Sequence, residues 1–277
     1  MLAAERAKYI HKRVQRDDAV SVEDLAQELD VSPITIRRDL ERLEQEGRLR
    51  RTHGGAVRRD FLNTEEFYDS KLIRNHAAKE RMARACVERI PEGATIILDA
   101  GTSTFEVARL LRTRIDLTVV TFDLAIAGEL YRAGVRTFLT GGEIQNSTGA
   151  LYGAGAERFV SDVSVDLAVL GVASISINGD LFTPTAEKAA LKRAVMQSAR
   201  KKILLADVSK FSRSSFWKIC GLHEFHTLIT DHQIGEPDRQ RLNAESVEIV
   251  IVRREGEEVG ASQGEEGTGK TQGEDLS

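Results

Sequence analysis

The sequence predicts an α/β protein in two parts, a small helical domain followed by a larger domain on a mainly parallel sheet. Three observations support this. Seven short apolar runs lie between Thr95 and Val252: TIILDA, LTVVTF, RTFLTGG, VDLAVLG, KKILLADV, TLIT and VEIVIV. Amphipathic helical patterns such as 123–133 and 185–200 alternate with them, as expected of a parallel sheet covered on both faces. The opening stretch carries helical spacing instead, and 277 residues leave room for two domains.

The first helical pattern runs from about Ala3 to Arg16, with Ala7, Ile10 and Val14 on one face. Ser21 caps the second, which carries Leu25, Ala26 and Leu29, and Asp30 breaks it in a tight corner. Ser32 followed by Pro33 starts a third helix with proline in its first turn. On that helix Ile36, Leu40 and Leu43 form a buried stripe, whereas Arg38 points the opposite way, with Thr35 and Arg42 on the outer side and Arg37 on a flank. Gly47 ends it. The segment RLRRTHGGAVRR then reads as a small β-hairpin, a wing, turning at Gly54 and Gly55.

Two helices, a tight turn and a wing make a winged helix-turn-helix, whose second helix enters the major groove of double-stranded DNA. The net charge of −4 conceals this, because the residues from 255 onward hold seven acids against Lys270. Residues 48–59 hold Arg48, Arg50, Arg51, Arg58 and Arg59 without one acid. The alternative is a solvated face, since Asp39, Glu41, Glu44 and Glu46 sit among the arginines of the third helix. Ser32, Thr35, Arg37, Arg38 and Arg42, with Arg51 and His53 of the wing, are the candidate DNA contacts.

The stretch SVEDLAQELDVSPITIRRDLERLEQEGRLRRTHGGA resembles the DNA-binding signature of the DeoR family of bacterial transcription regulators through its whole length. The likeness continues, with less specific motifs, from about Lys79 to Asp231. The resemblance implies a cytoplasmic regulator, most often a repressor of carbohydrate genes, whose C-terminal domain senses a phosphorylated sugar. A homodimer or larger is expected, since one such module contacts few base pairs.

The larger domain is readable from its own residues. In IILDAGTSTFEVARLL a strand ends at Asp99, a turn follows, and a helix begins, so Gly101, Thr102, Ser103 and Thr104 suit an anion such as phosphate. An ordinary capped helix start is the alternative. Thr121 after LTVV, and Gly141 and Gly142 after RTFLT, would line the same crevice at the carboxyl ends of parallel strands. Phe122 places a bulky aromatic at the expected pocket edge, where it would bear on which sugar fits.

A second, partial resemblance is to ribose-5-phosphate isomerase, so that the larger domain is expected to be sugar-phosphate isomerase-like. It rests on TAEKAALK (185–192) and LADVSKF (205–211), and implies Lys210, with Asp207, near a phosphate and Glu187 near the sugar. The alternative for Asp207 and Lys210 is a capped turn with a surface ion pair. The isomerase's acidic motif is replaced by GVASIS (171–176), which lacks a carboxylate, so binding without turnover is expected and the isomerase-like enzyme is the rival reading. An activator built from the same domains is a further alternative.

No apolar run approaches the ~20 residues that cross a bilayer, the scattered charges of MLAAERAKYIHKR lead to the expectation of no secretory leader, and Cys86 and Cys220 suggest no disulfide framework. Cys220, His223 and His226 lack the spacing of a zinc site, and GAGAER lacks the third glycine of a dinucleotide fingerprint, so neither metal nor cofactor is expected. The expected organisation is a DNA-binding domain over 3–58, a linker over 59–74, a sensor over 75–252 and a disordered acidic tail over 253–277.

Overall fold

The computed structural model of the chain describes residues 3–17, 19–46, 48–52, 54–58, 68–211, 215–242 and 244–253. The first part comprises α1 (Ala3–Asp17), β1 (Ala19–Ser21), α2 (Val22–Glu28), α3 (Pro33–Gln45), β2 (Leu49–Thr52) and β3 (Gly55–Arg58). Both expected caps form. Ser21 Oγ accepts from the Asp24 N–H at 2.9 Å and Ser32 Oγ from the Thr35 N–H at 3.3 Å. Asp30 takes the left-handed conformation, φ 49°, at the corner between α2 and α3. Ile10, Val14, Leu25, Ile36, Leu40, Leu43 and Leu49 close one core.

The wing has a third strand that local sequence does not suggest, because β1 is three residues long and becomes a strand only by pairing with β3. Ser21 lies opposite Gly55 in that pairing. A Cβ on Gly55 would sit 1.8 Å from the Val20 carbonyl oxygen, so the close approach of the two strands requires glycine there.

The second part runs α4 (Tyr68–Ile73), α5 (His76–Val87), β4 (Thr95–Leu98), α6 (Thr102–Leu110), β5 (Thr118–Thr121), α7 (Leu124–Arg132) and β6 (Arg136–Leu139). Next come β7 (Glu143–Ile144), β8 (Leu151–Tyr152), α8 (Ala154–Ser161), β9 (Val165–Gly171), β10 (Ser174–Ile175), β11 (Asp180–Thr183) and α9 (Ala186–Ser198). It ends with β12 (Ala199–Leu205), β13 (Trp217–Gly221), β14 (Thr227–Thr230), α10 (Glu236–Arg241) and β15 (Glu248–Ile251). The seven apolar runs are the strands of one sheet, ordered β15-β14-β12-β9-β4-β5-β6, with every neighbouring pair parallel.

The near-continuous apolarity of the inner strands has a direct cause, since they are buried on both faces, whereas the edge strands β6 and β15 are half-buried or exposed. Ile96 and Leu98 of β4 pack with Met82, Val107 and Ile126 of α5, α6 and α7, whereas Ile97 packs in the opposite layer with Val160 of α8 and Leu191 and Val195 of α9. Strand order runs outward in both directions from the β4/β9 boundary, which makes that boundary the topological switch point.

The antiparallel pieces were not anticipated. The β10-β11-β13 sheet and the β7-β8 hairpin use strands of two to five residues, too short for a period to show. Tyr68–Ile73 is helical within the stretch expected to be a linker. Residues 59–67 of that stretch, and the expected tail from 254 on, lie outside the described residues.

Candidate functional site

Helix α3 buries Ile36, Leu40 and Leu43 and leaves Arg37 and Arg38 exposed, without an ion pair among the described residues. The neighbouring acids do not neutralise them. Asp39 is buried and bound by Arg6 of α1, Glu44 accepts the Arg51 backbone N–H at 2.8 Å, and Glu46 lies 3.1 Å from Arg48. Arg42, expected on the outer side, is instead turned toward α1. It donates to the Ala3 carbonyl at 3.2 Å and lies 3.6 Å from Asp39. Its angular position on the helix, one turn from Asp39, favours that pairing. Ser32 and Thr35 hydroxyls share a 2.9 Å hydrogen bond at the exposed start of α3, and the Arg51 guanidinium is 3.9 Å from Glu41. His53 lies outside the described residues.

At the carboxyl ends of the sheet, Asp99 stands at the switch point and is fully buried. Its Oδ2 accepts from the Gly171 N–H at 2.8 Å and from the Lys192 ammonium, which also donates to the Gly171 carbonyl at 2.9 Å. Asp99 Oδ1, Thr140 Oγ1 and Ser174 Oγ are buried without a hydrogen-bond partner among the described residues. No side chain caps α6, which leaves its leading amides without a side-chain acceptor among the described residues. Thr102 is buried and Ser103 half-buried there. The Thr104 hydroxyl turns back into the loop, 2.6 Å from the Asp99 carbonyl and 2.8 Å from that of Gly101.

Several expectations change at this level. Thr121 is fully buried, and its hydroxyl donates to the Leu98 carbonyl at 2.9 Å, so it ties β5 to β4 rather than facing a ligand. Gly142 was expected to open room. At φ 130° its missing Cβ would lie 2.3 Å from the Tyr152 carbonyl oxygen, so the β7-β8 hairpin fills that space, while Gly141 has nothing within 4 Å. Phe122 is in the core beside Tyr152, centroids 6.3 Å apart, rather than at a pocket edge. On α9 Glu187 is exposed, and Lys188 is the member of the pair that turns inward, over the Tyr152 ring.

The Asp207–Lys210 turn is a charged cluster. Asp207 Oδ1 accepts from Asn75 Nδ2 at 2.7 Å and from the Ser209 N–H at 3.0 Å, and Lys210 Nζ lies 4.0 Å from Oδ2. Burial opposes ionisation of Asp207, but Lys210 and these hydrogen bonds hold it below the usual carboxylate range. Lys79 is buried close by. Desolvation, aided by the Lys210 charge, pushes its ammonium down to about 8. Asp123 caps α7 through the Ala125 and Ile126 amides and also accepts from the Gly101 N–H at 3.2 Å, yet burial pushes it up to about 6.

Lys79, Lys192 and Asp123 were missed as site residues. For Lys192 a signal existed, because Lys188 and Lys192 lie four apart on the face that carries Leu191 and Val195, an odd place for two lysines unless they are paired. Lys79 and Asp207 meet only through the fold. A separate group, His76, Glu80 and Glu106, brings potential metal-ligand atoms within 4.8 Å of one another, although Arg109 already pairs with Glu106 at 2.9 Å. Cys220 is buried, and burial pushes its thiol up to about 12. Among the described residues no helix is long and apolar enough to cross a membrane.

Residues 6–61 match the family model of the DeoR-like helix-turn-helix domain, and residues 74–232 that of the DeoR C-terminal sensor domain. The chain is 36% identical over 250 residues to an HTH-type transcriptional regulator, GlpR, of Haloferax volcanii, covering 90% of this chain and 98% of that one. It is 32% identical over 232 residues to the glycerol-3-phosphate regulon repressor of Escherichia coli, covering 83% of this chain and 92% of the relative. Among solved structures, ribose 5-phosphate isomerase A of Methanocaldococcus jannaschii matches with a TM-score of 0.38 at 16% identity, over 50% of this chain and 55% of that one.

Proposed function

Because the chain belongs to the DeoR family of transcriptional regulators, we propose that it represses a carbohydrate-metabolism operon and releases its operator when a phosphorylated sugar binds the sensor domain. It is a DNA-binding regulator rather than an enzyme, as are the relatives it matches. One observation carries the DNA half: α3 leaves Arg37 and Arg38 exposed and without an ion pair among the described residues, while the acids beside them are engaged within the domain. Arg38 reads a base, Arg37 and the α3 N-terminus with Ser32 and Thr35 meet the backbone, and Arg51 and His53 of the wing add flanking contacts. Arg42 acts through α1.

The ligand half rests on charge. The leading amides of α6 at Thr102, Ser103 and Thr104 take the phosphate, with Lys210 and the newly recognised Lys79 as its cations. Asp99, Gly101, Gly141 and Asp207 shape the crevice, whereas Thr121, Gly142 and Glu187 act on the framework. Residues 3–58 form the reader and 75–252 the sensor of a cytoplasmic homodimer, since two-fold pairing matches paired operator half-sites.

Footprinting over the chain's own promoter region tests the first half, with protection of paired half-sites expected and none at low ionic strength refuting it. Titrating sugar phosphates into that complex tests the second, since release requires the ligand to prefer the DNA-free state. An operator overlapping the promoter supports repression, and one upstream of it supports activation.

A further inference from the structure

Helix α4 lies between the DNA reader and the sensor sheet in sequence, and its described contacts reach the sensor domain at both ends, one of them through Lys79 of the candidate phosphate site. At its start the Tyr68 N–H donates to the Ser147 carbonyl at 3.0 Å, and the Tyr68 ring meets Phe105 of α6 edge-on with centroids 6.3 Å apart. At its end the Lys79 ammonium donates to the Lys71 carbonyl. The turn between α4 and α5 is fastened by Asn75, which sits at φ 54° and donates to Asp207 Oδ1 at 2.7 Å. Left-handed backbone is uncommon outside glycine, and asparagine tolerates it better than most. Two residues next to α4 therefore grip, or lie beside, the same Asp207–Lys210 turn.

The electrostatics give this arrangement a direction. Lys79 is buried within range of Lys210 and Arg74, with Asp207 and Glu106 as the facing carboxylates. Asp207 is already shared among Asn75, Ser209 and Lys210, and Glu106 among Arg109 and His76. An ammonium carries three donors and no acceptor, so Lys79 can hold the Lys71 carbonyl and an anion together. An anion beside it lowers the cost of keeping the charge buried, and with it the cost of the bond to α4.

We infer that Asn75 and Lys79 are positioning residues that report anion occupancy of the Asp207–Lys210 turn to α4, locking residues 68–75 onto the sensor domain when a phosphate group is bound. The inference rests on the reading of this crevice as a sugar-phosphate site. By linkage, whatever docks α4 tightens anion binding, and the anion tightens docking of α4 by the same factor. The segment that leads from the DNA reader is thus held differently in the occupied and empty sensor.

Amide hydrogen exchange on the full chain tests this, with inorganic phosphate, glycerol 3-phosphate and ribose 5-phosphate as probes and the rise in Tm as the independent sign of binding. With a probe that raises Tm, exchange at residues 68–75 should slow about tenfold. Asn75→Gly tolerates the backbone conformation and should keep a Tm rise, smaller than that of the natural chain by the lost coupling, while losing most of that slowing; Lys79→Met should lose both. A probe that raises Tm but leaves 68–75 unchanged in the natural chain overturns the coupling and leaves the sensor reading intact, as does Asn75→Gly showing full slowing. If none of the three probes raises Tm, the anion site itself is wrong and the coupling falls with it.

Discussion

Replacing Lys192 with methionine would remove the charge that holds Asp99 at the switch point, with little change in side-chain volume. Both side chains are buried, at 7% and 1% exposure, so solvent cannot take over the ammonium's role. The variant would leave the Asp99 carboxylate with the Gly171 N–H on Oδ2 and nothing on Oδ1. Breaking a buried pair from one side costs about 3–5 kcal/mol, and the surviving charge-assisted hydrogen bond places this case near 3. For a chain of this size that corresponds to a fall in Tm of about 6–12 °C.

The control is the double variant Asp99→Asn with Lys192→Met. It removes the stranded charge, so it should be clearly more stable than Lys192→Met alone, because two neutral groups in one pocket do not carry the desolvation cost of one ion. Thermal and urea unfolding of the full chain, followed by circular dichroism, measure these two variants and the single Asp99→Asn. A loss below about 1 kcal/mol for Lys192→Met, the size of an exposed pair, or a double variant as unstable as the two singles summed, would refute the reasoning.

Three further outcomes are expected. Arg38→Ala should weaken operator binding by about 1–3 kcal/mol and relax specificity at one base position; an equal loss on random-sequence DNA in a gel-shift assay would reassign Arg38 to a phosphate. Gly55→Ala places a Cβ 1.8 Å from the Val20 oxygen, so it should break the β1-β3 pairing and lower DNA affinity while leaving any phosphate-induced rise in Tm in place. Asp123 holds its proton more tightly folded, at about 6, than unfolded, at 3.8, so its contribution makes stability fall as pH rises from about 4 to about 6. The change is about 3 kcal/mol. Asp123→Asn, which can still cap α7, should flatten that slope in urea titrations at pH 4.5 and pH 7.5, and an unchanged slope would show that another group carries it.

The inner strands of the sheet were legible because burial on both faces leaves each one a nearly unbroken apolar run, and the edge strands β6 and β15 because they carry short apolar runs of their own. The caps of α2 and α3 were legible because Ser21 and Ser32 act within three residues of themselves. β1, β7, β8 and β10 were not, since two or three residues carry no period, and β1 becomes a strand only against β3, more than thirty positions away. The site divides in the same way. Asp99, Gly101 and Asp207 were visible as strand-end chemistry, but their partners Lys192, Asp123 and Asn75 lie 93, 22 and 132 positions from the groups they bind.

By itself the sequence determined the three N-terminal helices, the strands of the parallel sheet and the exposed Arg37 and Arg38 of α3, because periodicity, capping and turn chemistry act within a few residues. Tertiary structure alone decided which polar groups remain open to a ligand: it spent the Thr121 and Thr104 hydroxyls on backbone carbonyls, turned Arg42 onto α1 and Glu187 to solvent, and buried Lys79 beside Lys210. A side chain's hydrogen-bonding capacity is written in its type, but whether that capacity is already used depends on neighbours brought close by the fold.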